Sequence, residues 1–275
     1  MKGKSVGKWI RRVVMLILLG IFLFSGISIL RILHQYKVSD RLYEGIANQY
    51  TSQTSDGAGK GQQDAADGAA GAEAGAGAET APIVVDFEGL RSVNGDVTGW
   101  IYCEDTPINY PVVHGADNDY YLTHNYDGTA SASGSIFVEA ENRPDFVDSN
   151  TIIYGHHMKN GSMFASLDQW ADQAYYEEHP VMWLLTPEQD YKIILTGGYT
   201  TSATSDTYTI FQGPGEELNT YLDKCMAQSD FSAGVELDGE ARYVLLSTCA
   251  YVFDNARYVL HGILVPVDSA GGIPF

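Results

Sequence analysis

"LLSTCAYVFDNARYVLHG", residues 245–262, places two apolar runs on either side of a short polar loop. The first run ends at Cys249 and the second begins at Arg257. Both are rich in Val, Leu and Tyr, and the loop between them carries Asp and Asn. Runs of that composition, bounded by turn residues, read as β-strands. If the two pair through the short loop, Cys249 and Arg257 face each other across one end of the ladder. The stretch therefore points to a β fold and to a thiol meeting a guanidinium at the end of a strand.

Further strand runs lie outward from it. They are "SGSIFVE" (133–139), "NTIIYGHH" (150–157), "YKIILTGGYTT" (191–201) and two short strands around a Pro-containing turn in "GWIYCEDTPINYPVVHG" (99–115). Many short strands joined by Gly, Asp and Asn turns predict a mainly β domain, a barrel or a sandwich. Two helical patterns interrupt it. Residues 162–174 carry Phe164, Leu167 and Trp170. Residues 215–229 carry Leu218, Tyr221, Leu222, Cys225 and Met226, the spacing of one buried helical face.

The N-terminal part has a different character. Residues 13–30, "VVMLILLGIFLFSGISIL", carry no charge. As a helix they rise about 27 Å, close to the hydrocarbon thickness of a bilayer. A signal peptide would have a shorter apolar core, about 7–15 residues, and a small-x-small cleavage site. Here apolar residues continue past "SGIS", so the run reads as an uncleaved transmembrane anchor. Lys2, Lys4, Lys8, Arg11 and Arg12 precede it; Arg31, Lys37 and Arg41 follow. That bias puts residues 1–12 in the cytoplasm and the rest outside. Residues 31–50 carry Leu33, Tyr36, Leu42, Tyr43 and Ile46 at a ragged period, compatible with a short membrane-proximal helix. Residues 51–82 are Gly/Ala-rich, with no aromatic or large aliphatic side chain. They read as a flexible linker with a span of roughly 30 Å. The globular domain is expected at 83–275.

That domain carries 28 acidic against 7 basic residues, within a whole-chain net charge of −19. Such a surface repels nucleic acid. The cysteines are Cys103, Cys225 and Cys249, an odd number in a domain expected outside the cell, which points to a free thiol. Cys225 falls on the buried helical face, and Cys103 alternates with Tyr102 in a strand as a small apolar residue. Cys249 has no such packing role. A thiol near its ordinary pKa of about 8.5 needs a base or a cation to react at neutral pH.

Seven histidines are available. His34 adjoins the anchor, His114 and His124 lie in a loop-rich segment, and His179 sits in a turn beside Pro180. His261 is set aside as facing away from Arg257 on its strand. His156 and His157 end a strand and open a polar loop, where a base could meet the thiol. Adjacent residues of an extended chain point apart, so the pair makes no metal site, and no C-x-x-C pair exists. No metal or cofactor is expected.

"IYGHHMKNGSMF" followed by "LSTCAYVFDNARYVLHG" resembles the sortases, class B in particular. The family pattern around the cysteine is T-L-x-T-C with an arginine on the next strand; here Leu245 replaces the first threonine. "GWIYCEDTPINYPVVHG" and the helix at 215–229 also resemble class B segments. The likeness runs over about residues 87–267. It implies a closed sortase-type β-barrel with added helices, and a cysteine transpeptidase of a Gram-positive cell surface. By residue, it implies Cys249 as nucleophile, His156 as acid and base, and Arg257 as the group that orients substrate and steadies the oxyanion. His157 is then a neighbour. The implied substrates are secreted proteins with a C-terminal sorting motif of the L-P-x-T-G or N-P-x-T-N kind, cleaved after Thr. The implied acceptor is an amine of a peptidoglycan precursor or a pilin. A cysteine peptidase acting by hydrolysis and an inactive sortase-like module are the competing readings.

Overall fold

Half-buried strands leave backbone groups unpaired at a sheet edge, and closing the sheet removes that edge. The computed structural model, which describes residues 3–54 and 80–267, shows this solution. Its strands are β1 (Thr51–Gln53), β2 (Ile83–Val85), β3 (Val97–Tyr102), β4 (Asn109–His114), β5 (Ile136–Val138), β6 (Asn150–Tyr154), β7 (Val181–Leu185), β8 (Asp190–Ser202), β9 (Arg242–Cys249) and β10 (Ala256–Val267). The α-helices are α1 (Gly3–Tyr50), α2 (Phe87–Val93), α3 (Gln173–Glu178) and α4 (Glu216–Met226). The last eight strands form a closed barrel in the order β10-β8-β7-β3-β4-β5-β6-β9. The fold is the mainly β barrel with added helices that the sequence predicts.

Alternation along the strands builds two cores. On β9, Val244 and Leu246 join the barrel interior, while Tyr243 and Leu245 point outward. On β10, Tyr258, Leu260 and Leu264 face in, and Val259 and Ile263 face out. α4 covers the outer set with Leu218, Leu222 and Cys225. Eleven residues are too few for a stable isolated helix in water. Burying each leucine contributes roughly 2 kcal/mol, so tertiary packing holds α4 in place. His261 lies on this outer face, which corrects the expectation from the sequence. It is four residues from Arg257 and therefore shares its side of the strand. It is fully buried beneath α4, stacked on Tyr199 at 5.6 Å.

The expected helix over 162–174 is divided. Met163 has a left-handed φ of 59°, which blocks a helical start there. A 3-10 helix spans Ala165–Ala171. Asp172 then caps α3 by accepting from the Ala174 N–H at 2.9 Å.

α1 is one continuous helix of 48 residues, about 72 Å long at the usual rise. Its apolar part is long enough to cross a membrane and is not buried against the protein. Its C-terminal turns behave differently: Tyr43 and Ile46 are buried against the barrel. β1 follows directly and pairs with β2, Gln53 opposite Ile83. Most of the Gly/Ala-rich stretch, residues 55–79, lies outside the described residues. Its two ends are held side by side.

Candidate active site

The geometry of the site follows from strand register. β6 and β9 run parallel, with Tyr154 opposite Ser247. The Gly155 N–H donates to the Ser247 carbonyl at 3.1 Å and carries the pairing one step further. His156 and Cys249 each lie two residues beyond the Tyr154–Ser247 couple, so the parallel register brings them to the same end of the barrel. β9 and β10 run antiparallel, with Arg257 directly opposite Cys249. All three residues line one cleft of about 480 Å³, together with Asn118, Asp119, Leu122, Tyr154 and Tyr208 among others. The structure thus brings together the three residues singled out in the sequence.

Burial separates the three thiols. Cys103 and Cys225 are buried, while Cys249 is partly exposed. Desolvation pushes the Cys103 thiol up to about 12 and also raises that of Cys225. Both stay protonated and out of reach of a substrate.

The two neighbouring histidines go separate ways. His156 Nε2 lies 2.8 Å from the Leu122 carbonyl oxygen. A carbonyl can only accept, so Nε2 carries the proton and Nδ1 is the nitrogen left to gain or lose one. His157 Nε2 instead meets Asp168 Oδ2 at 3.1 Å, and its ring stands edge-on to Tyr251. The path of the chain into this pair depends on Gly155. A Cβ on that residue would come within 2.5 Å of Ile136 Cδ1 and 2.7 Å of the Phe164 ring. Only glycine allows the chain to pass between those two buried side chains and deliver His156 to the rim.

Arg257 forms no ion pair among the described residues, although the domain is strongly acidic. Its Nη1 donates to the Ala256 carbonyl at 3.0 Å. Two tyrosines sit close enough to feel its charge. Burial raises the Tyr208 hydroxyl above its ordinary pKa, and Arg257 partly opposes that rise. Burial also raises Tyr154, which donates to Glu139 Oε2 at 2.8 Å. Tyr208 shares a 2.8 Å hydrogen bond with the Ser247 hydroxyl on β9. Among the described residues the guanidinium makes no other hydrogen bond, and Tyr154 and Tyr208 line the same cleft. Among the described residues, no group of three His, Cys, Asp or Glu side chains converges as a metal site.

Sequence reasoning missed the partner of His156. Leu122 ends a 3-10 turn, Tyr120–Leu122. Asp117 shapes that turn by accepting from the backbone N–H groups of Asp119 and Tyr120 at 2.9 and 2.8 Å. Those bonds hold its carboxyl below the usual range. An Asp followed by a turn is visible in a sequence; the carbonyl it aims is not.

Comparison with known proteins gives the family. The family model described as "Sortase domain" matches residues 101–265, from the end of β3 to within β10. This chain belongs to the sortase family. Its relatives place the sortase in class B. It is 34% identical to Sortase B of Listeria monocytogenes over 254 residues, 91% of this chain and 94% of that protein. It is 31% identical to Sortase B of Staphylococcus aureus over 186 residues, 66% of this chain and 75% of that protein. Among solved structures, sortase B from B. anthracis in complex with AAEK1 superposes with a TM-score of 0.67 and 29% identity, covering 86% of this chain and 100% of the other. A Staphylococcus aureus sortase B–substrate complex gives a TM-score of 0.63 and 28% identity, covering 66% of this chain and 85% of that one. The sortase is accordingly a cysteine transpeptidase of the class B type.

Proposed function

We propose that Cys249, His156 and Arg257 carry the transpeptidation, and that the substrate is the C-terminal sorting motif of a secreted protein. The observation that supports this most is the register: Arg257 opposite Cys249, with His156 at the same end of the barrel and in the same cleft. In the first half-reaction the Cys249 thiolate attacks the carbonyl carbon of the motif threonine. The carbonyl π electrons move to oxygen, and the Arg257 guanidinium faces that developing negative charge. The C–N bond then breaks, and the leaving nitrogen takes a proton from His156 Nδ1. A thioester to Cys249 remains. In the second half-reaction an amine attacks the thioester carbonyl and gives a proton back to Nδ1. The thiolate leaves and a new amide has formed. The Leu122 carbonyl holds Nε2–H throughout, which fixes the ring: Nδ1 carries a proton before the first step, is bare in the thioester intermediate, and is protonated again once the amine has attacked.

The acceptor in this proposal is an amine of a peptidoglycan precursor or a pilin. The apolar part of α1 anchors the enzyme in the membrane, N-terminus inside, and confines it near substrates arriving by secretion.

The test uses the full chain in detergent micelles, with L-P-x-T-G-like and N-P-x-T-N-like peptides, with and without a diamino acceptor. Mass analysis of the products is expected to show peptide–amine conjugates of one motif, formed only with Cys249 intact. Cleavage that gives free acid even at high amine concentration would favour the peptidase reading instead.

A further inference from the structure

The last turns of α1 lie against the loop that follows His156. Asn160 Nδ2 donates to both carboxylate oxygens of Asp40, at 3.0 and 2.9 Å. One turn on, Tyr43 donates to the Gly134 carbonyl at 2.6 Å and sets its ring edge-on to Tyr110, with centroids 5.4 Å apart. The Tyr110 hydroxyl in turn accepts the Met163 N–H at 2.9 Å. The loop between is a closed turn. At its base the Phe164 N–H donates to the His156 carbonyl at 3.0 Å, and His157 bridges Met163. Inside it, Gly161 and Met163 both hold left-handed backbone, φ 87° and 59°. Met163 has a Cβ and keeps that conformation only where its surroundings impose it.

Two of the outer supports of this turn lead to α1, while at its start Tyr251 donates to the His157 carbonyl at 3.2 Å and His157 Nε2 meets Asp168. Asp40 holds its crown directly, and Tyr43 backs the Tyr110 ring that holds its return. The helix does not seal against the loop. A cleft of about 440 Å³ lies between Asp40, Glu44, Tyr110 and Asn160–Ser162. Met158 and Met163 anchor the ends of the loop in the core, and across the cleft the Asp40–Asn160 contact holds its exposed crown.

We infer that Asp40 is a positioning residue for His156: the end of α1 braces the 157–163 loop, and the loop sets the imidazole against the Leu122 carbonyl. The inference rests on the reading of His156 as acid and base. It makes the membrane-proximal helix part of the catalytic fold rather than a stalk beneath it. Small displacements of a proton donor from its line of transfer reduce the rate of the chemical step far more than substrate binding.

The test measures acylation by a motif peptide with full-length Asp40→Ala, Asn160→Ala, the double variant and Asp40→Asn. The single alanine variants are expected to lower kcat about 5- to 10-fold with KM within twofold. The double variant should be no worse than either single one, because one contact is lost in all three. Asp40→Asn keeps an acceptor oxygen for Asn160 and should recover most of the rate. Full activity of Asp40→Ala, or losses that multiply in the double variant, would overturn the brace. So would an Asp40→Asn variant as slow as Asp40→Ala. His156→Ala serves as the control. If it stays active, the underlying assignment fails; if it is inactive while Asp40→Ala is at full rate, only the brace fails.

Discussion

Under α4, Cys225 and His261 share Tyr199 and Tyr221 as neighbours; at the end of the same β9–β10 ladder, Cys249 and His156 sit with Arg257 and Tyr208. The residue types are nearly the same, and the environments are opposite. Burial raises the Cys225 thiol and pushes the His261 imidazole down to about 3. Both stay neutral, and neither His261 nitrogen has a hydrogen-bond partner among the described residues. At the rim, Cys249 is partly exposed, a guanidinium lies opposite, and His156 has one nitrogen fixed by a backbone carbonyl. A cysteine and a histidine do not make a reactive pair by proximity alone. They need access to substrate and neighbours that favour the charged forms.

The largest expected effect separates the two thiols. Cys249→Ala should remove thioacyl formation entirely, as read by intact mass after incubation with a motif peptide. Cys225→Ala should acylate at the normal rate and lose about 1–2 kcal/mol of stability in urea melts, the scale of a small buried deletion. Loss of acylation in both variants would erase the distinction.

A smaller effect sharpens the account of the rim. Gly155→Ala should lower kcat by roughly 10- to 100-fold, because the added Cβ meets Ile136 and Phe164 and displaces His156. The barrel stays folded in this variant if its far-ultraviolet circular dichroism is unchanged. A rate like that of the parent would mean that the chain relaxes elsewhere.

The smallest effect concerns the inner pair. His261 ordinarily titrates near 6.5 when unfolded, and the folded value is lower. Between about 6.5 and 3 the unfolded chain therefore binds a proton that the folded chain does not. Stability should fall as pH drops through that window. His261→Phe keeps a ring against Tyr199 and removes the titration. Its stability should depend less on pH between 7 and 4. An identical pH slope for parent and variant would show that other groups dominate acid unfolding.

Some of this is legible in the sequence alone. The pairing of Cys249 with Arg257 follows from two strong strand runs joined by a short loop. α4 follows from one apolar stripe. β7 was not singled out, because "VMWLL" has no alternation and follows directly on Pro180. The helix expected at 162–174 fails at Met163, whose left-handed backbone is imposed by the turn around it and is not a property of methionine. The partner of His156 is a main-chain oxygen, and carbonyls have no letter in a sequence. The position of His261 follows from strand parity alone, since four residues separate it from Arg257 and place both on one face. The docking of Tyr43 and Ile46 was hidden because their apolar period is too ragged to declare a buried face.

The pairing of β1 with β2 bears on how far the enzyme can travel. A chain that leaves the fold at Gln53 and re-enters beside it at Ile83 is an excursion and lends no reach. The height of the cleft above the proposed anchor is set instead by the rigid helix between Leu30 and Tyr43, about 20 Å of rise. With α1 as the proposed anchor, the sortase would be a fixture mounted at one level, not a float on a line. Lengthening the Gly/Ala-rich stretch should leave that level alone, whereas an added helical turn between residues 31 and 38 should lift the whole barrel and swing its cleft to a new bearing.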